Sequence, residues 1–319
     1  MDTNAPRLSL VIPCFNEEDA LPIAAARLSE LFAQLVGTAA IAPTSEVLFV
    51  DDGSTDATWE TISRLSADSP LFCGIKLSRN EGHQNALLAG LLAAAERADL
   101  IASMDADLQD DPGVLAQMVE RAREGYEVVY GVRSNRDADT GFKRVTAQAF
   151  YRFQRAMGVE SVPDHAEYRL MSRRAVQLLG QFDESNVFLR GLVPQVGLRS
   201  CTVPYVRAQR VAGTTKYSLG RMASFALDGI SSFSIRPLRL IFITGVVVSL
   251  LSLVALVYIV WQHFFGTTVP GWASTAVSIW LLGGLQLLAL GVIGEYVGKT
   301  YLEAKRRPRY FVEKTTFDE

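Results

Sequence analysis

The sequence predicts an α/β fold: a mostly parallel sheet with helices on both faces, then an interfacial helix and two transmembrane helices. Three observations lead there. Short apolar runs (Leu8-Ser9-Leu10-Val11-Ile12-Pro13, Val47-Leu48-Phe49-Val50 and Leu100-Ile101-Ala102-Ser103-Met104) alternate with segments of helical character. Continuous apolar runs are what strands buried on both sides of a parallel sheet look like. Acidic clusters follow the second and fourth of the strand-like runs, where open α/β sheets place their ligands. From Leu240 to Gly294 there is no Asp, Glu, Lys or Arg.

The first strand closes with Pro13-Cys14-Phe15-Asn16-Glu17-Glu18, which opens an Ala/Leu-rich helix to about Val36. Glu17, Glu18 and Asp19 fall in its first turn, where the helix dipole favours negative charge. A single carboxylate there is also placed to hold a ligand above the strand end. The second strand, Val47–Val50, runs into Asp51-Asp52-Gly53-Ser54-Thr55-Asp56 and a helix to about Ala67. Thr55 or Asp56 can cap that helix. Asp51 and Asp52 can accept hydrogen bonds from ribose hydroxyls or a base. Gly74-Ile75-Lys76-Leu77 is a third strand, and Ser78–His83 leads into a helix over Gln84–Arg97 with His83 at its start.

The fourth strand ends in Asp105-Ala106-Asp107-Leu108-Gln109-Asp110-Asp111-Pro112. Hard oxygen donors concentrated there suit Mg²⁺ or Mn²⁺ and whatever phosphate the cation holds; the bland reading is an acidic surface turn. Asp111 as N-cap and Pro112 at the first helical position have a structural use. Asp105, Asp107 and Gln109 remain as the chemically free set, with Asp110 undecided. Val128-Val129-Tyr130-Gly131 forms a further strand, and Arg133 emerges just after it. A polar loop over 137–141 and a helix over 142–157 follow. Asp164–Leu170 runs into another short strand. Its mixed charges, Glu167 and Arg169 among them, fit an ion-pair cluster or an acceptor site. Cys201–Val206 is a late strand in which Pro204 marks an edge. Arg207, Arg210 and Lys216 then form either a clamp for phosphates or a set of solvated loop charges. Residues 218–234 carry one apolar stripe at helical spacing, which suits the membrane interface or packing on the soluble domain.

The net charge of −3 and pI of 5.8 give no basic field for nucleic acid. About 20 apolar residues cross a bilayer, so the uncharged interval holds two spans, roughly Leu240–Gln262 and Trp272–Gly294. Arg236 and Arg239 precede the first span; Lys299, Lys305, Arg306, Arg307 and Arg309 follow the second. Both ends are therefore expected in the cytoplasm. The N-terminus shows no signal-peptide pattern. Cys14, Cys73 and Cys201 are scattered, as in a reducing compartment. The expected organisation is a cytoplasmic catalytic domain over 1–215 and juxtamembrane amphipathic helices over 216–237. A two-helix transmembrane domain over 238–296 and a basic cytoplasmic tail over 297–319 follow, in a multi-pass protein of the inner (plasma) membrane.

Taken in order, these motifs resemble the family-two inverting glycosyltransferases of the polyprenyl-phosphate branch, which holds dolichol-phosphate mannose synthases and bactoprenol glucosyltransferases. The resemblance is carried by Val11–Glu18, Val50–Ser54, Ser78–Gly82, Asp105–Pro112, Tyr168-Arg169-Leu170 and Gly213-Thr214-Thr215-Lys216-Tyr217. Gly294-Glu295-Tyr296 and Lys305–Tyr310 complete it. It implies a GT-A-type, Rossmann-like catalytic domain. It also implies a nucleotide pocket at Pro13, Phe15, Glu17, Val50 and Asp52, and a metal and ribose-diphosphate site at Asp105, Ala106, Asp107 and Gln109. Arg133, Arg210 and Lys216 would be the phosphate-binding cations. Two positions depart from the family: Glu167 stands where Asp is frequent, which leaves a base or acceptor-orienting role less defined, and Thr215 stands where Ser is common.

The implied reaction is metal-dependent, inverting transfer of a sugar from a nucleotide-sugar donor, UDP-glucose first, to polyprenyl (undecaprenyl) phosphate, with Asp105, Asp107 and Glu167 as catalytic candidates. GDP-mannose, UDP-N-acetylhexosamine and amino-arabinose donors stay open, as does self-association. A nucleotidyltransferase acting on a sugar phosphate would keep the fold but give the spans no use. A catalytically dead membrane scaffold would not need an intact Asp105/Asp107/Gln109 set. No Gly-x-Gly-x-x-Gly or P-loop segment is present.

Overall fold

The computed structural model describes residues 5–106, 110–133, 165–184, 187–206, 236–265 and 271–317. The chain divides into two units. The first is Met1–Tyr151, Glu160–Lys216 and Arg307–Glu319; the second is Arg152–Val159 and Tyr217–Arg306. The helix expected over 142–157 and the apolar stripe of 218–234 lie outside the described residues.

The first unit carries β1 (Leu8–Cys14), β2 (Glu46–Asp51), β3 (Phe72–Leu77), β4 (Leu100–Ser103), β5 (Val128–Arg133), β6 (His165–Ser172), β7 (Ser200–Tyr205) and β8 (Val312–Thr315). Its helices are α1 (Ala20–Gly37), α2 (Thr58–Asp68), α3 (His83–Arg97), α4 (Val114–Arg123), α5 (Arg173–Leu179) and α6 (Leu189–Gln195). The eight strands form one sheet in the order β7-β5-β6-β4-β1-β2-β3-β8. β1 runs parallel to β2 and β4, β2 to β3, and β5 to β7; β6 is antiparallel to β4 and β5, and β8 to β3. Only β6 and β8 therefore oppose the common direction, as a mostly parallel sheet requires.

Side chains alternate across the sheet, and both faces are covered. Leu8, Leu10, Ile12 and Cys14 of β1 join Leu21, Leu28 and Phe32 of α1 and Leu115 and Met118 of α4 in one core. Val11 and Val50 point the other way, into α3. A Cβ on Gly90 of α3 would lie 2.4 Å from Val11 and 2.6 Å from Val50. Glycine there lets the helix sit directly on the sheet, close to where β1 and β2 end. β7 is an edge strand, as Pro204 within it indicated.

Register decides what reaches the site. Ser103, the last residue of β4, pairs with Arg169 of antiparallel β6. The residues before Arg169 consequently project past the carboxyl end of β4, and Glu167 is among them.

The end of the chain, expected only as a basic tail, supplies β8. Ile75, Lys76 and Leu77 pair with Thr315, Lys314 and Val312. Thr316 then makes two hydrogen bonds to the Gly74 backbone: its N–H donates to the Gly74 carbonyl at 3.0 Å, and its side-chain Oγ1 accepts the Gly74 N–H at 2.9 Å. Ser66 of α2 donates to the same hydroxyl at 2.9 Å, and Arg97 lies 4.0 Å from the Phe317 ring centre. Thr316→Val removes one acceptor from two donors. It should lower stability by about 1–3 kcal/mol, read as a lower urea midpoint with an unchanged slope.

Several helix starts differ from expectation. α1 begins at Ala20, so Glu17, Glu18 and Asp19 precede its first turn. α4 begins at Val114 rather than at Pro112. Asp111 does not cap it; its carboxylate instead accepts the Gly113 N–H at 2.9 Å. α2 begins at Thr58, and neither Thr55 nor Asp56 is its N-cap residue. Asp56 accepts the Thr58 N–H at 3.1 Å in the preceding turn. Ahead of α2 and α4 an acidic side chain closes the turn, and the helical backbone follows two or three residues later; ahead of α1 the Glu17 carbonyl accepts the Ala20 N–H instead.

The second unit contains α7 (Arg236–Phe265) and α8 (Trp272–Lys305), of 30 and 34 residues. Among the described residues one stretch, Leu281–Lys305, is long and apolar enough to cross a membrane; a shorter apolar stretch covers Leu238–Val248. Large apolar side chains such as Leu281, Leu287 and Leu290 are exposed on α8.

Candidate active site

The loops after β1 and β2 are bonded to each other. Asn16, at φ +56°, donates its N–H to Ser54 Oγ at 3.0 Å and accepts the Thr55 N–H at 2.9 Å. Glu17 donates its N–H to Thr58 Oγ1 at 2.9 Å, and Glu18 accepts the Ala57 N–H at 2.9 Å. These bonds form a floor from which Phe15 stands out, 44% exposed. Pro13 and Val50 are cross-strand partners buried in the sheet. Glu17 sits within electrostatic reach of the buried Cys14 thiol, which burial, Glu17 and Asp51 together push well up.

Asp51 and Asp52 divide their work. Asp51 is fully buried and accepts the Ser54 N–H at 3.0 Å. Asp52 accepts the Glu81 N–H at 2.8 Å on one oxygen and the Gly82 N–H at 3.0 Å on the other. Burial pushes both carboxyls up, against the donors that hold them down. Asp52 thus fastens the end of β2 to the loop that starts α3. Gly53, at φ +66°, lies beneath that loop. A Cβ there would come 2.4 Å from the Arg79 carbonyl carbon and 2.6 Å from the Asn80 nitrogen. Gly53→Ala must move backbone, not side chain. The expected cost is on the order of 2–3 kcal/mol, measured by denaturant unfolding, together with weaker donor binding.

Beyond β4, Asp105 is partly exposed and Ala106 buried. His83, the first residue of α3, brings Nε2 to 3.6 Å from the Asp105 carboxylate. Desolvation holds the imidazole below its ordinary pKa. Asp105 opposes that shift, and Arg190 and Arg169 add to it. Asp105 offers one hard oxygen donor of the type a divalent cation takes. Asp107 and Gln109, expected beside it, lie outside the described residues, as do Arg210 and Lys216. The described residues alone contain no group of three or more His, Cys, Asp or Glu that could hold a metal ion. Arg133 is the last residue of β5.

Glu167 anchors the other side. It is buried, and its carboxylate accepts from Gln84 Nε2 at 3.1 Å and Arg190 Nε at 2.8 Å on one oxygen, while the other is held by Arg169. Its carbonyl accepts from Ser103 Oγ at 2.5 Å. Gln84 also accepts the Leu189 N–H at 3.1 Å, which ties the start of α3 to the start of α6. Arg169 is fully buried; desolvation, with Arg190 beside it, lowers its pKa to about 10. Mixed charges over 164–170 left an ion-pair cluster and an acceptor site as alternatives, and an ion-pair cluster is present. Asp110, undecided from sequence, is buried and accepts from Tyr205 Oη at 2.6 Å. Gln84 and Arg190 were not foreseen. Neither belongs to a motif, and only the fold brings them to Glu167. The sequence signal was there for Gln84 alone, at the start of a helix that follows a strand end.

The sheet therefore gathers His83, Gln84, Asp105, Glu167, Arg169 and Arg190 past the end of β4. The sequence profile of Glycosyl transferase family 2 matches residues 9–180, which include all of these except Arg190. A Bacillus subtilis (strain 168) protein named uncharacterized glycosyltransferase YkoT is 46% identical over all of this chain and 95% of its own length. This chain belongs to glycosyl transferase family 2. As a family-2 glycosyltransferase it is an enzyme that transfers a sugar. It is also 38% identical to the prophage bactoprenol glucosyl transferase homolog of Escherichia coli (strain K12), over 97% of this chain and 99% of that one. The bactoprenol glucosyl transferase of Shigella phage SfX is 38% identical over 96% and 99%.

Proposed function

We propose that this glycosyltransferase moves a sugar from a nucleotide-sugar donor, UDP-glucose first, to polyprenyl phosphate at the cytoplasmic face of a membrane, with inversion at the anomeric carbon. The observation that carries the reading is end-to-end similarity to bactoprenol glucosyl transferases, through the catalytic sheet and on through α7 and α8. On this reading α7 and α8 are two spans, and the acceptor reaches the site from the bilayer.

The chemistry asks little of a proton acceptor. A phosphate monoester is anionic at neutral pH and attacks through an oxygen that needs no base. Positioning and electrostatics then carry the rate. The loops after β1 and β2, fixed by Asn16, Asp51 and Asp52, hold the nucleotide. Asp105, with Asp107 and Gln109, would hold Mg²⁺ or Mn²⁺, which when bound neutralises charge on the leaving diphosphate. Arg133, Arg210 and Lys216 would hold phosphate.

A panel of radiolabelled nucleotide sugars, incubated with membranes containing the full chain and polyprenyl phosphate, tests this. Label should enter the lipid fraction from one donor and in the β configuration from an α-linked donor. Retained configuration would reject single displacement. Label entering only water-soluble products would reject the lipid acceptor.

A further inference from the structure

The segment that follows α8 and forms β8 touches the candidate site as well as the sheet edge. The ladder of β3 and β8 pairs Leu77 with Val312. One further bond lies beyond it: the Ser78 N–H donates to the Phe311 carbonyl at 3.0 Å. Ser78 opens the loop 78–82. The far end of that loop is held by Asp52, which accepts the Glu81 and Gly82 N–H groups. Gly53 lies beneath its middle, so close that a Cβ would meet the Arg79 and Asn80 backbone. The loop is therefore pinned by the residues after β2 on one side and by the tail of the chain on the other.

Ahead of Phe311, Arg309 reaches a second segment. Its Nε donates to the Glu184 carbonyl at 2.9 Å and its Nη2 to the Phe182 carbonyl. The side chain is only 14% exposed. Residues 182–184 belong to neither helix nor strand, and the guanidinium ties two of their carbonyls together. A planar fork suits that task, because Nε and a terminal nitrogen lie on one edge and take two acceptors at once. The chain goes on to α6, where Gln84 Oε1 accepts the Leu189 N–H at 3.1 Å. Gln84 lies in the first turn of α3, directly after the loop 78–82. The contacts close a ring: tail to loop 78–82, loop to α3, α3 to α6, and back through 182–184 to the tail. Lys305–Tyr310 stood among the sequence motifs, and the proposed reaction gives that stretch no part.

We infer that Arg309 and the Phe311 carbonyl form a clasp that sets the loop 78–82 against the nucleotide-holding residues after β2, which makes Arg309 a positioning residue for the donor. This rests on the nucleotide-sugar reading above. A loop already held in its binding form spares the ligand the cost of ordering it. The coupling is reciprocal: a tail that favours donor binding is itself held closed by bound donor, to the same factor.

The test uses the full chain in lipid nanodiscs. Initial rates are measured over separately varied UDP-glucose and undecaprenyl phosphate, and amide hydrogen exchange is read by mass spectrometry. Arg309→Ala should raise the KM for UDP-glucose about tenfold, the worth of a charge-assisted hydrogen bond. The KM for the lipid should stay within about twofold. Arg309→Lys should recover part of the loss, since an ammonium has the charge without the planar fork. Thr316→Val is the control: it weakens β8 at its other end, so it should lower stability and leave the donor KM unchanged. Without nucleotide, Arg309→Ala should speed exchange over 78–82; in the wild-type protein, saturating UDP-glucose should slow exchange over 309–316. Three outcomes overturn the inference: an unchanged donor KM in Arg309→Ala, an equal rise in Thr316→Val, or wild-type tail amides that do not respond to bound UDP-glucose. The last needs no variant, so it decides the matter if Arg309→Ala does not fold. Wild-type protein that binds no nucleotide sugar refutes the donor reading instead, and the clasp is then judged by exchange over 78–82 in Arg309→Ala.

Discussion

Arg169→Ala should leave a protein whose thermal unfolding begins roughly 10 °C below the native one, at a few degrees per kcal/mol. Arg169 is fully buried and still charged at neutral pH, its pKa lowered only to about 10. It bonds the Glu167 carboxylate and the Leu189 carbonyl. Removing it strands a buried carboxylate against one remaining guanidinium and opens a void the size of the lost side chain. Deleting one member of a buried ion pair costs about 3–5 kcal/mol, whereas replacing both members with apolar groups of matching volume is often neutral. Arg169→Met combined with Glu167→Leu should therefore recover much of the stability lost by Arg169→Ala while staying inactive. Differential scanning calorimetry of the three proteins checks this. An Arg169→Ala protein that unfolds within two degrees of wild type would mean that the cluster does not hold the sheet together at β6.

Asp107→Asn should cut transfer at ordinary Mg²⁺ about 10²- to 10³-fold. The substitution keeps shape and one oxygen acceptor but removes the charge that draws a hard cation. Lewis-acid neutralisation of a leaving diphosphate is worth several kcal/mol, so the rate should fall about 10²- to 10³-fold. Raising Mg²⁺ or Mn²⁺ tenfold to a hundredfold should restore part of the loss, since a weakened site fills by mass action. Calorimetric titration with Mn²⁺ reads the affinity apart from turnover. Unchanged transfer at ordinary Mg²⁺ sinks the metal assignment at this residue.

Much of the catalytic sheet was legible because its strands advertise themselves. β1 and β2 are buried from end to end, and a run such as Leu8-Ser9-Leu10-Val11-Ile12-Pro13 has no polar face that a solvated strand would need. Asp51 and Asp52 could be placed for the same reason, since carboxylates directly after a buried run can only leave at the strand end. What sequence could not supply was registry between distant segments. Whether Glu167 would meet substrate or cations depends on the Ser103–Arg169 pairing and on where α6 returns, and neither leaves a local mark. The starts of α2 and α4 came one or two residues later than expected because Asp closes a turn and caps a helix with the same hydrogen bond. The strand at the chain's end was missed because Val312–Thr315 is short, carries Glu313 and Lys314, and has a largely exposed pattern. Its reason to be a strand lies in β3.

That late strand sets an order of events in biosynthesis. β8 pairs with β3 across a sequence separation of about 240 residues, and Thr316 completes the hydrogen bonds of Gly74. The sheet edge at β3 is therefore open throughout translation of everything in between, α7 and α8 included. An open edge is a template for wrong pairing, and long-range pairing is slow to form. The ribosome must finish residues 312–316 before β3 can be covered, and β8, short and carrying Glu313 and Lys314, then stands as the edge. A chain cut ahead of α7 to make a soluble enzyme would lack this strand altogether; a soluble version calls for the segment from Arg307 to be rejoined behind the catalytic sheet.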